Sequence, residues 1–212
     1  MGSVVGALRS GLGGLSWVGA GLIVVALVLK VFLFDVAQVM HNGMAPTLLR
    51  GERVLINKRA TPEIGSIAVC RHPTEDGWVV ARVAATGGMT VDSFGNELRI
   101  DGKLIPFTRN GKTFFRNTDN DLEGTVIWGD EYFGTEPHQI FMKEGGRHLV
   151  RETEVHEGEL YLLGDFRAYM GQDSRAYRVV DASTCRGTIV FRISPVDGLE
   201  PPLAHRYFEL IR

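Results

Sequence analysis

From Gly11 to Leu29 the chain is an almost uninterrupted apolar run, with Ser16 the one ordinary polar side chain. No other feature restricts the fold as strongly. As a helix these nineteen residues span roughly 28 Å, close to the roughly 30 Å hydrocarbon core of a bilayer. Lys30 interrupts the run, and Val31-Phe32-Leu33-Phe34 resumes it before Asp35. A lysine at that depth can snorkel to the headgroups while the phenylalanines stay at the interface. The run predicts one transmembrane helix over residues 12–36 behind a short tail, residues 1–11. A cleavable leader is the first competing reading, but its apolar region would be unusually long and no small-x-small site follows it. A buried helix of a soluble domain is the second, and Gly and β-branched residues at this density suit lipid better than water. Arg9 on one side against Lys30 and Asp35 on the other is too small a bias to orient the helix.

Beyond residue 36 the pattern is almost all strand. Arg53 to Ile56 alternates, Ser66 to Val69 is short and apolar, and Trp78 to Ala85 is β-rich with Arg82 as a charged interruption. Leu98 to Ile100, Val126 to Trp128, Leu160 to Leu163 and Thr188 to Ile193 add further strands, and Asp101-Gly102 signals a tight hairpin. Helical periodicity longer than a few turns is absent from this part. A single mostly-β domain over 37–212 is therefore expected, with residues 109–151, rich in Asn, Gly and Thr, as a probable insertion on it. The 212 residues, 44% of them hydrophobic, are enough for one sizeable core, and 26 glycines imply many turns. A formal net charge of -2 gives no reason to expect nucleic acid as a partner.

The segment right after the apolar run reads Val39-Met40-His41-Asn42-Gly43-Met44-Ala45-Pro46-Thr47-Leu48, then Gly51-Glu52 and a strand ending in Lys58. It resembles the nucleophile loop of the bacterial signal peptidase I family, peptidase S26: Ser-Met-x-Pro-Thr-Leu, then Gly-Asp and a strand ending in Lys. Further blocks follow in order. Gly65-Ser66-Ile67-Ala68-Val69 resembles the family's Gly-Asp-Ile-Val-Val strand, and Val79-Val80-Ala81-Arg82-Val83 its Val-Lys-Arg-Val strand. Gly164-Asp165-Phe166-Arg167 and Asp173-Ser174-Arg175 resemble the closing Gly-Asp-Asn-Arg and Asp-Ser-Arg signatures. The resemblance implies a coiled, mixed β-sheet domain held by one amino-terminal helix in the cytoplasmic membrane, with the large domain on the outer face.

The family's chemistry does not carry over with its framework. A signal peptidase attacks with a Ser hydroxyl deprotonated by a neutral, desolvated Lys. Gly43 stands at the Ser position and Ala81 at the Lys position. Neighbouring Arg82 cannot replace the base, because a guanidinium stays protonated and has no lone pair to offer. His41 takes the place of the hydroxyl that completes the oxyanion hole. The stretch Ala168-Tyr169-Met170-Gly171-Gln172 is one residue longer than usual and lacks the Ser that orients the base. Met44, Pro46, Thr47, Arg82, Asp165, Arg167, Asp173, Ser174 and Arg175 persist as framework, and Arg167 or Arg175 is expected to pair with Asp173.

Replacement chemistry has few sources. His41, His72, Cys70 and Asp165 would have to meet to build a thiol nucleophile. Cys70 and Cys185 are equally readable as two separate buried thiols or as a disulfide, which an oxidising outer compartment permits. The six histidines show no ligand spacing, so neither metal nor cofactor is expected. The expectation is a signal peptidase-like membrane protein that is catalytically inactive. It would bind or scaffold signal peptides, exported proteins or another membrane protein, with the bilayer as its constant partner. The alternative is an active endopeptidase with a non-standard nucleophile, its own or a partner chain's.

Overall fold

The computed structural model describes residues 17–25, 27–28, 31–116, 123–134, 136–146, 149–169, 171–195 and 206–211. The chain divides into two units, 1–35 and 36–212. In the first, residues 17–25, 27–28 and 31–33 are helical and carry exposed Trp17, Val18, Leu22 and Ile23. Among the described residues no helix is long and apolar enough to cross a membrane, and residues 12–16 of the expected span lie outside them. The helix predicted to reach Val36 ends earlier, because strand β1 (Phe34–Gln38) begins at Phe34. Aromatic and β-branched residues at 34 and 36 favour the extended form once the apolar run is over.

The second unit is mostly β. Its main sheet orders β1, β2 (Arg53–Asn57), β14 (Cys185–Ser194), β3 (Ile67–Arg71), β4 (Trp78–Thr86), β12 (Glu159–Leu163) and β13 (Val180–Asp181), with β15 (Glu209–Leu210) also pairing to β14. The sheet curls as a half-barrel. From β2 to β13 the pairings are antiparallel, with a parallel bridge joining Phe141 to Phe166 elsewhere, so the sheet is dominantly antiparallel where a mixed one was expected. The alternation seen in β2 buries Val54 and Ile56. In contrast β4 buries a nearly continuous run from Val79 to Ala85, as a central strand covered on both faces does.

Two smaller sheets flank this frame. One orders β11 (Thr153–Glu154), β5 (Thr90–Phe94), β6 (Glu97–Ile100) and β7 (Lys103–Leu104). Its β6–β7 hairpin pairs Ile100 with Lys103 around Asp101 and Gly102, both at positive φ, as a two-residue turn of this kind demands. The other orders β10 (Pro137–Lys143), β9 (Glu123–Tyr132) and β8 (Phe107–Arg116), and holds most of residues 109–151. One core under the main sheet contains Met44, Leu48, Ile56, Ala68, Ala81, Val83 and Leu162. A second gathers Ala45, Leu49, Phe115, Val126, Phe141 and Phe166, so the loop after β1 is packed from two sides. Each large apolar side chain buried there contributes roughly 1.5–3 kcal/mol toward holding the loop in place.

Candidate functional site

Residues 39–52 form the loop between β1 and β2. Leu48 N–H donates to Met44 O at 2.8 Å and Ala45 N–H to Asn42 O at 3.0 Å, a pair of tight turns. The loop is tied below by the strand-end segment 164–167, where Phe166 N–H donates to Gly43 O at 3.0 Å. From the other side Glu52, fully buried, accepts from Leu49 N–H at 2.9 Å, from Arg192 Nε at 3.1 Å and from Arg206 Nη2 at 2.9 Å. Glu52 thus fills the acidic position of the loop motif, and its two arginines come from the far end of the chain.

At Gly43 the backbone amide already has a partner. The Gly43 N–H donates to His41 Nδ1 at 3.1 Å, so the amide that would face a developing oxyanion is already engaged. A Cβ on Gly43 would stand 2.9 Å from His41 Nδ1 and 3.4 Å from Tyr169 Cδ1. The His41 and Tyr169 rings stack with centroids 5.8 Å apart. Val80, Gly164 and Gln172 join these residues in lining a shallow depression at Gly43. His41 therefore accepts a hydrogen bond through Nδ1.

Ala81 is buried in the core and pairs with Ala68 in the β3–β4 ladder. The following residue, Arg82, turns to the opposite face and is 1% exposed. Its Nε and Nη2 meet Asp165 Oδ1 and Oδ2 at 2.9 and 2.7 Å, and its Nη1 donates to Gly65 O at 2.7 Å. The Thr47 hydroxyl also donates to Asp165. Burial alone would raise the Asp165 carboxyl, yet the Arg82 guanidinium and the Thr47 hydroxyl hold it below the usual range. Arg82 is thus a paired structural cation.

The expected Asp173 pair forms with Arg175, at 2.7 Å, while Arg167 goes elsewhere. Asp173 also accepts from Gly164 N–H at 3.0 Å and caps the one-turn helix Ser174–Tyr177. Ser174 Oγ accepts from Leu162 N–H at 2.9 Å. Arg167 forks onto Glu131 of β9, and His138 Nε2 lies 3.2 Å from the same carboxylate and 4.0 Å from Asp165. Burial would raise the Glu131 carboxyl, but Arg167 and His138 bring it down to about 2. Burial holds His138 below the ordinary imidazole value against the pull of Glu131. Neither Glu131 nor His138 was singled out from the sequence, because only the β9–β10 register, His138 opposite Glu131, brings them together.

The thiol alternative loses its thiol. Cys70 and Cys185, opposite each other in β3 and β14, form a disulfide, and no cysteine is free. His72 lies against Tyr177, with ring centroids 4.9 Å apart. Of Met44, Pro46 and Thr47, Met44 is fully buried and Thr47 donates to Asp165. Met170 lies outside the described residues. No group of His, Cys, Asp and Glu fit to hold a metal occurs among the described residues.

Comparison with known proteins fits this frame. A family model described as signal peptidase, peptidase S26, matches residues 15–194. Three similar proteins each bear the name signal peptidase I. The one from Pseudomonas aeruginosa is 27% identical over 68% of this chain and 55% of its own length. The one from Bacillus amyloliquefaciens is 33% identical over 51% of this chain and 60% of its own. The one from Bacillus licheniformis is 26% identical over 86% of this chain and 90% of its own. The chain thus spans little more than half the length of the first two.

Proposed function

For a chain that belongs to the signal peptidase family, peptidase S26, and has Gly43 and Ala81 at the dyad positions, we propose a catalytically silent role: a membrane protein that holds exported peptides without cleaving them. The observation that carries this reading is the engaged Gly43 amide, which donates to His41 Nδ1 in a ring stacked with Tyr169. Attack on a carbonyl needs an oxygen or sulfur there and a base nearby. The nearest basic side chain along β4, Arg82, is committed to Asp165. Recognition asks for less, because an extended peptide can add to a strand edge through backbone hydrogen bonds and small side-chain pockets. The apolar run near the amino end supports a single-pass anchor in the cytoplasmic membrane, with the β domain on its outer face. The bilayer and signal peptides, exported chains or another membrane protein are the partners of this reading.

The test is incubation of the purified full-length protein with a preprotein in lipid, read by intact mass and by co-purification. Capture with an unchanged preprotein mass is the expected result. Site-specific cleavage that persists after removal of contaminating peptidases would overturn the silent role.

A further inference from the structure

A cleft of about 460 Å³ lies between the small sheet of β5–β7 and the β8–β10 sheet, and the proposed peptide-holding role does not use it. Its size falls within the range of small-molecule sites. Leu98, Leu104, Ile140, Met142, Val150 and Leu163 form its apolar walls. The walls are pinned to each other: Asn96 Nδ2 donates to Gly146 O at 3.0 Å, and Val150 N–H donates to Ser93 Oγ at 2.9 Å. The space is therefore built into the joint between the sheets.

The charges around this cleft divide into two sets. In its interior Arg167 is forked onto Glu131 and Arg175 onto Asp173, so each guanidinium already faces a carboxylate. A ligand gains nothing by bringing a charge to that depth, and its inner part is best apolar. Two further lining residues, Glu97 of β6 and Lys143 of β10, are exposed and come from the two facing sheets. Their side chains have neither an ion pair nor a hydrogen bond among the described residues. One anion and one cation left open beside an apolar cavity complement a head that carries both signs. Leu104, half exposed at 52%, continues the apolar wall outward.

We propose that this cleft binds a single-chain amphiphile, its aliphatic tail between the two sheets and its zwitterionic head at Glu97 and Lys143. The site is separate from Gly43 and gives the chain a lipid-like ligand in addition to any peptide.

The experiment uses full-length protein in phosphatidylglycerol vesicles and a single-chain phosphocholine with a diazirine in its tail, with crosslinks mapped by mass spectrometry. Label is expected on Leu104 to Pro106 and on Ile140 to Met142. Met142→Trp, which fills the cleft, should remove that label while label on residues 17–33 remains. Glu97→Lys or Lys143→Glu alone should weaken cleft labelling about tenfold, as loss of one charge-assisted contact does, and the double exchange should restore it. Because both side chains are exposed, these variants leave the core intact. Label confined to residues 17–33, or cleft label indifferent to Met142→Trp and to both charge reversals, would overturn the proposal. Failure to capture a preprotein would leave this result unaffected, so the two readings fail separately.

Discussion

Replacing Gly43 and Ala81 by the family's Ser and Lys should leave cleavage at background. The new Ser Cβ meets His41 Nδ1 at 2.9 Å, and the amide it needs is already bonded to that ring. Adding His41→Ser to the pair frees the amide, and any recovered turnover should appear only in that triple variant, measured by preprotein cleavage in lipid. Asp165→Asn is expected to cost about 3–5 kcal/mol in urea unfolding, because Arg82 at 1% exposure would stay charged without its carboxylate. Gly43 and Ala81 were legible as the candidate dyad positions because short motifs on either side resemble the family's. The direction of the His41 hydrogen bond was not, since a histidine nitrogen donates or accepts according to its tautomer. Glu131 and His138 were illegible for another reason: they reach Asp165 and Arg167 only through tertiary packing across more than one sheet.

The strands of the main sheet were legible wherever alternation or a β-branched run met a turn, as in β2, β4, β12 and β14. Strands β5, β8 and β10 were not, because Asp and Ser in β5, Asn, Gly and Lys in β8, and Gln and Lys in β10 interrupt their apolar pattern, and cross-strand partners decide their state. The hairpin of β9 and β10 is latched to the 164–167 segment by buried charges, which makes it the acid-sensitive part of the domain. The folded chain binds His138 and Glu131 protons less readily than the unfolded one, since both groups are held below their ordinary values. Their contribution is complete above the unfolded values and is lost as pH falls, first through His138 and then as Glu131 approaches about 2. The urea midpoint should therefore drop steadily from about pH 7 to pH 4, and His138→Gln should flatten the upper part of that fall. The disulfide joins β3 to β14 across a sequence separation of 115 residues. Its reduction should lower stability by about 4–5 kcal/mol, and the unreduced protein should accept no thiol-alkylating reagent in an intact-mass measurement.

At the scale of the molecule, the orientation proposed for the anchor predicts that a cysteine at Asp101, exposed on the β6–β7 turn, is labelled from outside intact cells. Protection there with labelling only after lysis would reverse the topology. The sheet order itself has a consequence in time. Strand β14 lies between β2 and β3, although the chain makes it after nearly every other strand of the sheet. A polypeptide synthesised amino end first can zip β3 to β4 early, but β2 waits with an open edge until β14 has emerged, and Cys70 waits without its partner until Cys185 has. The closing piece of the domain is nearly the last to arrive. A ribosome that stalls, or an export step that halts, short of β14 leaves two half-sheets with bare edges, the kind of species that aggregates or is degraded.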